Sequence, residues 1–174
     1  MITAIETQYA GCRFRSRLEA RWAVFFDNAG IPWEYEPEGF DIDGRWYLPD
    51  FRLDFTWWVE VKGELPLPDE LSFLRSAGVQ LPGPGLLLLG PIPEVSSTEN
   101  DVAWRLLSGY FGDIDETVGF GLYAKNRRPW YLYSNDLRES SRLHAFDHDE
   151  YMYPEITAAY RAARSARFEH GERG

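Results

Sequence analysis

The chain has 174 residues, enough for one domain of ordinary size, and its 44% hydrophobic and 16% aromatic content, with seven Trp, excludes general disorder. No apolar run approaches the roughly 20 residues that a membrane-spanning helix needs, and the single cysteine, Cys12, excludes a disulfide framework. With 28 acidic residues against 18 basic ones the net charge is −10, so any grip on a polyanion has to come from local basic clusters rather than from the surface as a whole.

Residues 1–11 carry no periodic signal. They also lack a basic region followed by an apolar stretch, so no secretory leader is expected and the expected setting is a reducing cytoplasm. Cys12 has no His near it in sequence and reads as a half-buried, inert thiol. From Arg13 to Asn28 the apolar positions Phe14, Leu18, Trp22, Phe25, Phe26 and Ala29 recur at spacings that predict an amphipathic helix, ended by Gly30 with Pro32 beyond. Glu19 falls at the edge of its apolar stripe with Arg15 four residues before it. Two readings of Glu19 stand: a surface acid paired with Arg15, or an acid turned toward whatever the helix packs against.

Trp33–Glu36 predicts a first strand, broken by Pro37 and Gly39, with Glu34, Glu36 and Glu38 on one face that reads first as solvated, a secondary role for Glu36 or Glu38 near the site being the alternative. Asp43-Gly44 between Phe40–Ile42 and Trp46–Leu48 is a hairpin signal that joins strands one and two antiparallel. Asp54–Thr56 turns the chain into a third strand, Trp57–Val61. A helix with Leu71, Phe73, Leu74 and Ala77 follows Pro66 and Pro68 and is expected to end at Gly78. After the turn residues 83–85, the uniformly apolar Leu86–Leu89 predicts a strand buried on both faces and, across a helical crossover, parallel to strand three. The chain is read as a single domain, 1–174, in which a core at 13–90 is followed by a surface insertion at 91–117 with a short helix around Val102–Leu107. An appended hairpin and C-terminal helix occupy 118–174: Val118–Ala124 and Trp130–Tyr133 flank a basic tip, and Pro154–Arg167 is helical with Ile156, Ala159, Tyr160, Ala163 and Phe168 spaced for a packed face. His144 and His148, with Asp147 and Asp149 beside them, read as solvated, and no phosphate-cradling glycine loop or Ser-His-Asp context is present.

The chemistry concentrates between Leu48 and Gly63, where each of two strand-like runs, Trp46–Phe51 and Trp57–Val61, carries an acid. Glu60 and Lys62 share one face of the second run while Val59 and Val61 share the other, so one face is expected to be buried and the other to do chemistry. If the runs pair, Asp50 sits beside Glu60. Two such carboxylates repel unless a proton or cation lies between them. Mg²⁺ suits the position, because it takes hard oxygen ligands from one or two carboxylates and leaves room for phosphate oxygens.

Pro49-Asp50 followed by Glu60-Val61-Lys62 resembles the signature of the PD-(D/E)XK nuclease superfamily, and R-S-R-L-E-A-R-W-A around Glu19 resembles the first-helix acid that many of its members direct at their metal site. The stretch Arg13–Gly63 is most similar to uncharacterised nuclease-like proteins found in phages and actinobacteria. The resemblance implies an α/β fold with a restriction-endonuclease-like αβββαβ core and a mixed sheet. It implies a Mg²⁺-dependent DNA endonuclease, with Mn²⁺ as a substitute, that hydrolyses phosphodiester bonds with a Mg-bound water. Asp50, Glu60 and the Val61 carbonyl would be the metal ligands, Lys62 would orient or activate the water, and Glu19 would be an outer acid. The alternative is a catalytically silent nuclease-fold domain that binds nucleic acid or protein, which the acidic net charge favours. A homodimer would be needed for paired cuts, since one metal cluster cuts one strand at a time.

Basic residues cluster at Arg13, Arg15, Arg17 and Arg21, at Lys125, Arg127 and Arg128, and at Arg161, Arg164 and Arg167. Arg15, Arg17, Arg127 and Arg128 are the candidate nucleic-acid contacts. If DNA is the partner, its affinity falls steeply with salt, and replacing Arg127 and Arg128 together by Ala weakens unrelated sequences alike, as loss of phosphate contacts does. Affinity titrations at several salt concentrations check this; a flat response removes the phosphate grip.

Overall fold

Four consecutive leucines, Leu86–Leu89, form a central strand in which each residue is 0% exposed. This is the outcome expected of a run with no polar position, since both faces of the strand have to meet apolar partners. The computed structural model describes residues 6–93 and 154–168, together with the backbone of 103–107, 116–121 and 131–134. In chain order the elements are β1 (Thr7–Tyr9), β2 (Cys12–Phe14), α1 (Arg17–Ala29), β3 (Trp33–Tyr35), β4 (Phe40–Ile42), β5 (Arg45–Tyr47), β6 (Phe51–Leu53), β7 (Trp57–Val61), α2 (Pro68–Gln80), β8 (Leu86–Leu89), β9 (Ala103–Leu107), β10 (Glu116–Gly121), β11 (Tyr131–Ser134) and α3 (Pro154–Ser165).

The fold is mixed α/β. Among the described residues, seven strands form one sheet in the order β11-β10-β9-β8-β7-β6-β3, with β7 and β8 parallel and every other neighbouring pair antiparallel. Side chains alternate faces along β7 and β8. Val59, Val61, Leu87 and Leu89 join Phe51, Leu53 and the apolar faces of α1 and α3. Trp58, Leu86 and Leu88 instead join α2 and the separate β4–β5 hairpin through Leu74, Ala77, Leu81, Ile42 and Tyr47. The sheet is therefore covered on both sides near its centre, and the face of β7 that bears Glu60 is not the open face expected from alternation.

Several boundaries differ from the sequence reading, each for a local reason. The first helix begins at Arg17 rather than Arg13, because Ser16 adopts an extended conformation and its Oγ accepts the Glu19 N–H as an N-cap. The residues before it form the β1–β2 hairpin, turned by Ala10 and Gly11 with φ of 48° and 78°. Asp43 and Gly44 turn the β4–β5 hairpin with φ of 52° and 77°, the pair of left-handed conformations that a two-residue hairpin turn requires. That hairpin does not enter the large sheet, where the second strand of the core is β6. α2 runs through the buried Gly78 to Gln80, with Leu81 as its cap and Pro82 after it. The short helix expected around Val102–Leu107 is instead β9, which pairs antiparallel with β8. A five-residue helix is marginal on its own, whereas a strand there covers the otherwise unpaired edge of β8. The segment read as a surface insertion thus contributes to the sheet. The Val118–Tyr133 hairpin is present as β10–β11, while its basic tip, Lys125–Arg128, and His144 and His148 lie outside the described residues.

α1 and α3 meet through aromatic packing: Tyr160 stacks on Phe25 with ring centroids 4.4 Å apart, and Trp22 meets both Phe25 and Tyr160 edge-on. The Trp22 indole N–H donates to the Gly90 carbonyl at 2.8 Å, which ties this layer to the end of β8. No helix among the described residues is long and apolar enough to cross a membrane. Trp22 is 0% exposed, so Trp22→Ala should cost about 3–5 kcal/mol by leaving a cavity as well as the Gly90 carbonyl without its donor; urea denaturation followed by circular dichroism measures it.

Candidate active site

The β3–β6 and β6–β7 registers pair Tyr35 with Phe51 and Phe51 with Val59. Continued by one residue, they bring Asp50 beside Glu36 on one side and opposite Glu60 on the other. The Glu36 N–H donates to the Asp50 carbonyl at 2.9 Å, and the Val61 N–H donates to Asp50 Oδ2 at 2.7 Å. Asp50 is 3% exposed and Glu60 7%. Glu60 points to the α2 side of β7, where the buried Tyr47 hydroxyl donates to its Oε2 at 2.7 Å and Lys62 Nζ stands 3.0 Å from its Oε1. The same ammonium lies 2.8 Å from Glu70 Oε1, supplied by the first turn of α2.

From the other side comes the link between β2 and α1. Glu19 is buried, and its carboxylate accepts from Ser16 Oγ at 2.7 Å, from the Arg15 N–H at 3.1 Å and from the Tyr35 hydroxyl at 2.6 Å. Glu19 is thus neither a solvated acid nor the partner of the Arg15 guanidinium; it locks the entry to α1 in a variant of the Ser-x-x-Glu capping box. The guanidinium turns inward instead, with Nη2 2.7 Å from both Asp50 Oδ1 and Glu36 Oε1. Arg15, read from the sequence as a nucleic-acid contact, is therefore committed to the carboxylates of the site. Arg17 is exposed on the first turn of α1, and Arg127 and Arg128 lie outside the described residues.

The structure brings Asp50, Glu60 and Lys62 together, with Glu19 close enough for its charge to act on Asp50. Burial holds the Asp50 carboxyl well above the usual carboxylate range, and the charges of Glu60 and Glu19 add to this against the opposing pull of the Val61 N–H and Arg15. Burial, with the charge and hydrogen bond of Glu60, likewise raises the Tyr47 phenol. For Lys62, burial favours the neutral amine, but Glu60 and Glu70 outweigh it and the ammonium is held above its ordinary range. The sequence reading assigns no role to Tyr35, Tyr47 or Glu70 and puts Glu36 first on a solvated face, yet the structure places all four in the site. The one signal for Tyr35 and Glu36 was their place on a strand beside the run that ends in Asp50.

Four carboxylates, Glu36, Asp50, Glu60 and Glu70, thus pair with two cations, Arg15 and Lys62, while Glu19 stands behind them on the Arg15 N–H. An excess of hard oxygen donors of this kind, with Asp50 and Glu60 buried, fits Mg²⁺ or Mn²⁺ in its donor chemistry. The ligands are not gathered in advance: among the described residues no three His, Cys, Asp or Glu side chains form a ready metal-holding group. Both Asp50 oxygens and both Glu60 oxygens are instead held by protein donors.

Because its folded-state pKa is raised, ionised Asp50 costs stability above that pKa, and the cost is absent below the unfolded carboxylate value of about 3.9. Asp50→Asn keeps an acceptor for Val61 and removes the charge, so with a chelator present it should raise the melting temperature at pH 7. The gain should shrink as the pH falls toward 4; a destabilised variant at pH 7 would contradict the charge cost. Comparisons with protein-family models, with characterised proteins and with solved structures return no match for this chain.

Proposed function

We propose that the chain is a metal-dependent nuclease of the PD-(D/E)XK type, built on a restriction-endonuclease-like core, that hydrolyses phosphodiester bonds in DNA. One observation carries the reading: two buried carboxylates on adjacent segments of a sheet, Asp50 and Glu60, converge beside an ammonium from the same strand, Lys62. With the β4–β5 hairpin set aside, the order α1, β3, β6, β7, α2, β8, in which β8 is parallel to β7, supports the core that the resemblance implies.

Asp50 and Glu60, with the Val61 carbonyl, would hold Mg²⁺ or Mn²⁺. When bound, the ion supplies a lowered pKa for the attacking water and a charge that offsets the one building on the phosphate. The chain's own groups do the positioning. The Val61 N–H fixes Asp50 Oδ2 and leaves Oδ1 turned toward the arginine; Tyr47 fixes Glu60 Oε2 in the same way and leaves Oε1 toward Lys62. Lys62, kept protonated between Glu60 and Glu70, offers its N–H groups to a phosphate oxygen or to the water that attacks it. Glu19 acts from behind, holding the Arg15 backbone and adding negative potential at Asp50.

A second reading, a nuclease-fold domain that binds nucleic acid or protein without cleaving, is favoured by the protein donors that already fill the carboxylates and by the net charge of −10. Incubation with linear, supercoiled and branched DNA separates the two. Cleavage should require Mg²⁺ or Mn²⁺, and Asp50→Ala or Lys62→Ala should lower its rate at least about 10²-fold, the scale on which loss of one preorganised charge acts. Activity that persists in chelator, or that is equal in both variants and the parent, assigns the domain to binding.

A further inference from the structure

The proposal that follows rests on the nuclease reading above and concerns how the site takes up its metal. The Asp50 carboxylate is fixed: it is 3% exposed and its Oδ2 is held by a backbone N–H in the sheet. Its other oxygen, Oδ1, is the one free to serve a ligand, and that oxygen is occupied by Arg15 Nη2 at 2.7 Å. The arginine side chain is 58% exposed, whereas the Asp50 side chain is 5% exposed. Of the two partners only the arginine can leave through solvent. Its backbone need not move, because the Arg15 N–H stays bound to Glu19 and Tyr35 in the link to α1.

A resting place for the departing guanidinium is built beside it. Glu36 Oε1 lies 2.7 Å from Arg15 Nη2, yet the contact lacks hydrogen-bond alignment and leaves that buried oxygen without a hydrogen-bond partner. Glu36 holds this position in a left-handed backbone conformation, φ 46°, which a non-glycine residue adopts at a cost. A small rotation toward Glu36 would satisfy the orphaned acceptor while uncovering Asp50 Oδ1. From these contacts we propose that Arg15 is the exchangeable counter-ion of Asp50: it neutralises the carboxylate in the metal-free protein and moves to Glu36 when a divalent cation takes Oδ1. The exchange keeps a cation beside the buried acid at every stage, and it makes the arginine a competitor of the metal.

Manganese binding, read by electron paramagnetic resonance of free Mn²⁺, tests this without any activity measurement. Arg15→Gln should bind Mn²⁺ about five- to tenfold more tightly than the parent, the advantage expected from removing one partly exposed, charge-assisted pair. Arg17→Gln removes the same charge two residues away without a contact to Asp50 and should change affinity less than twofold. Unchanged or weaker binding in Arg15→Gln would overturn the exchange and make Arg15 a brace, with the metal site intact. Equal tightening in both variants would also overturn it, in favour of a general field effect. Absence of Mn²⁺ binding in all three proteins removes the inference together with the metal reading itself. Should Arg15→Gln not fold, the parent protein still decides: on titration with Mg²⁺ the Arg15 guanidinium N–H resonances should shift and rotate faster, and signals that stay fixed while the metal binds refute the exchange.

Discussion

Burying an ionised carboxylate away from water costs several kcal/mol unless donors and cations make up for its lost hydration. Asp50 sits under that constraint, and much of the surrounding architecture can be traced to it. The β6–β7 pairing supplies the Val61 N–H. The β1–β2 hairpin and the capped start of α1 deliver Arg15, and β3 brings Glu36 alongside so that the arginine is itself held. The compensation is incomplete, because Glu60 and Glu19 stand close enough to raise the Asp50 pKa further. A core built only for stability would place an apolar side chain here. The retained charge is a reason to prefer the proposed function over a purely structural role.

On the opposite side of the site, Glu60 is handled differently. It has the Tyr47 phenol on one oxygen and the Lys62 ammonium on the other; Tyr47 comes from β5 and Glu70, which steadies Lys62, from α2, two elements that also pack the second core layer. The β4–β5 hairpin does not extend the sheet, but it closes the α2 face and carries Tyr47 into it. Its distal end is tied down in turn, with Asp43 accepting from Ser76 and from Gln80 Nε2. The hairpin that the sequence announced as part of the sheet is better described as a lid on the second layer.

What could be read from the sequence was whatever a local pattern determines alone. Leu86–Leu89 has no polar position and so admits only a doubly buried strand; Asp43-Gly44 has the conformational freedom that one kind of turn demands; Glu60 and Lys62 share a face by simple alternation. What could not be read was set by partners distant in sequence. β9 is a strand because β8 offers it an edge. Glu19 admits both an outward and an inward reading until Tyr35 and Ser16 are placed around it. Arg15 belongs to a basic-looking cluster, yet its direction is decided by Asp50, 35 positions further on. The cluster of carboxylates was legible as a pair, and the aromatic hydroxyls that orient it were not.

The packing of α3 on α1 has an implication for how the molecule comes to be. Tyr160 and Ala159 are fully buried against the helix that opens the core, and Arg164 Nη1 donates to the Ile92 carbonyl beyond β8. During synthesis α1 and α2 leave the ribosome well before α3 exists. Until that helix arrives, the rings of Trp22 and Phe25 lack the Tyr160 ring they pack against, and an aromatic surface stays open to other nascent chains. Maturation of the site-bearing part of the molecule is thereby tied to translation of α3, so that ribosomes stalled upstream of it would yield products prone to association.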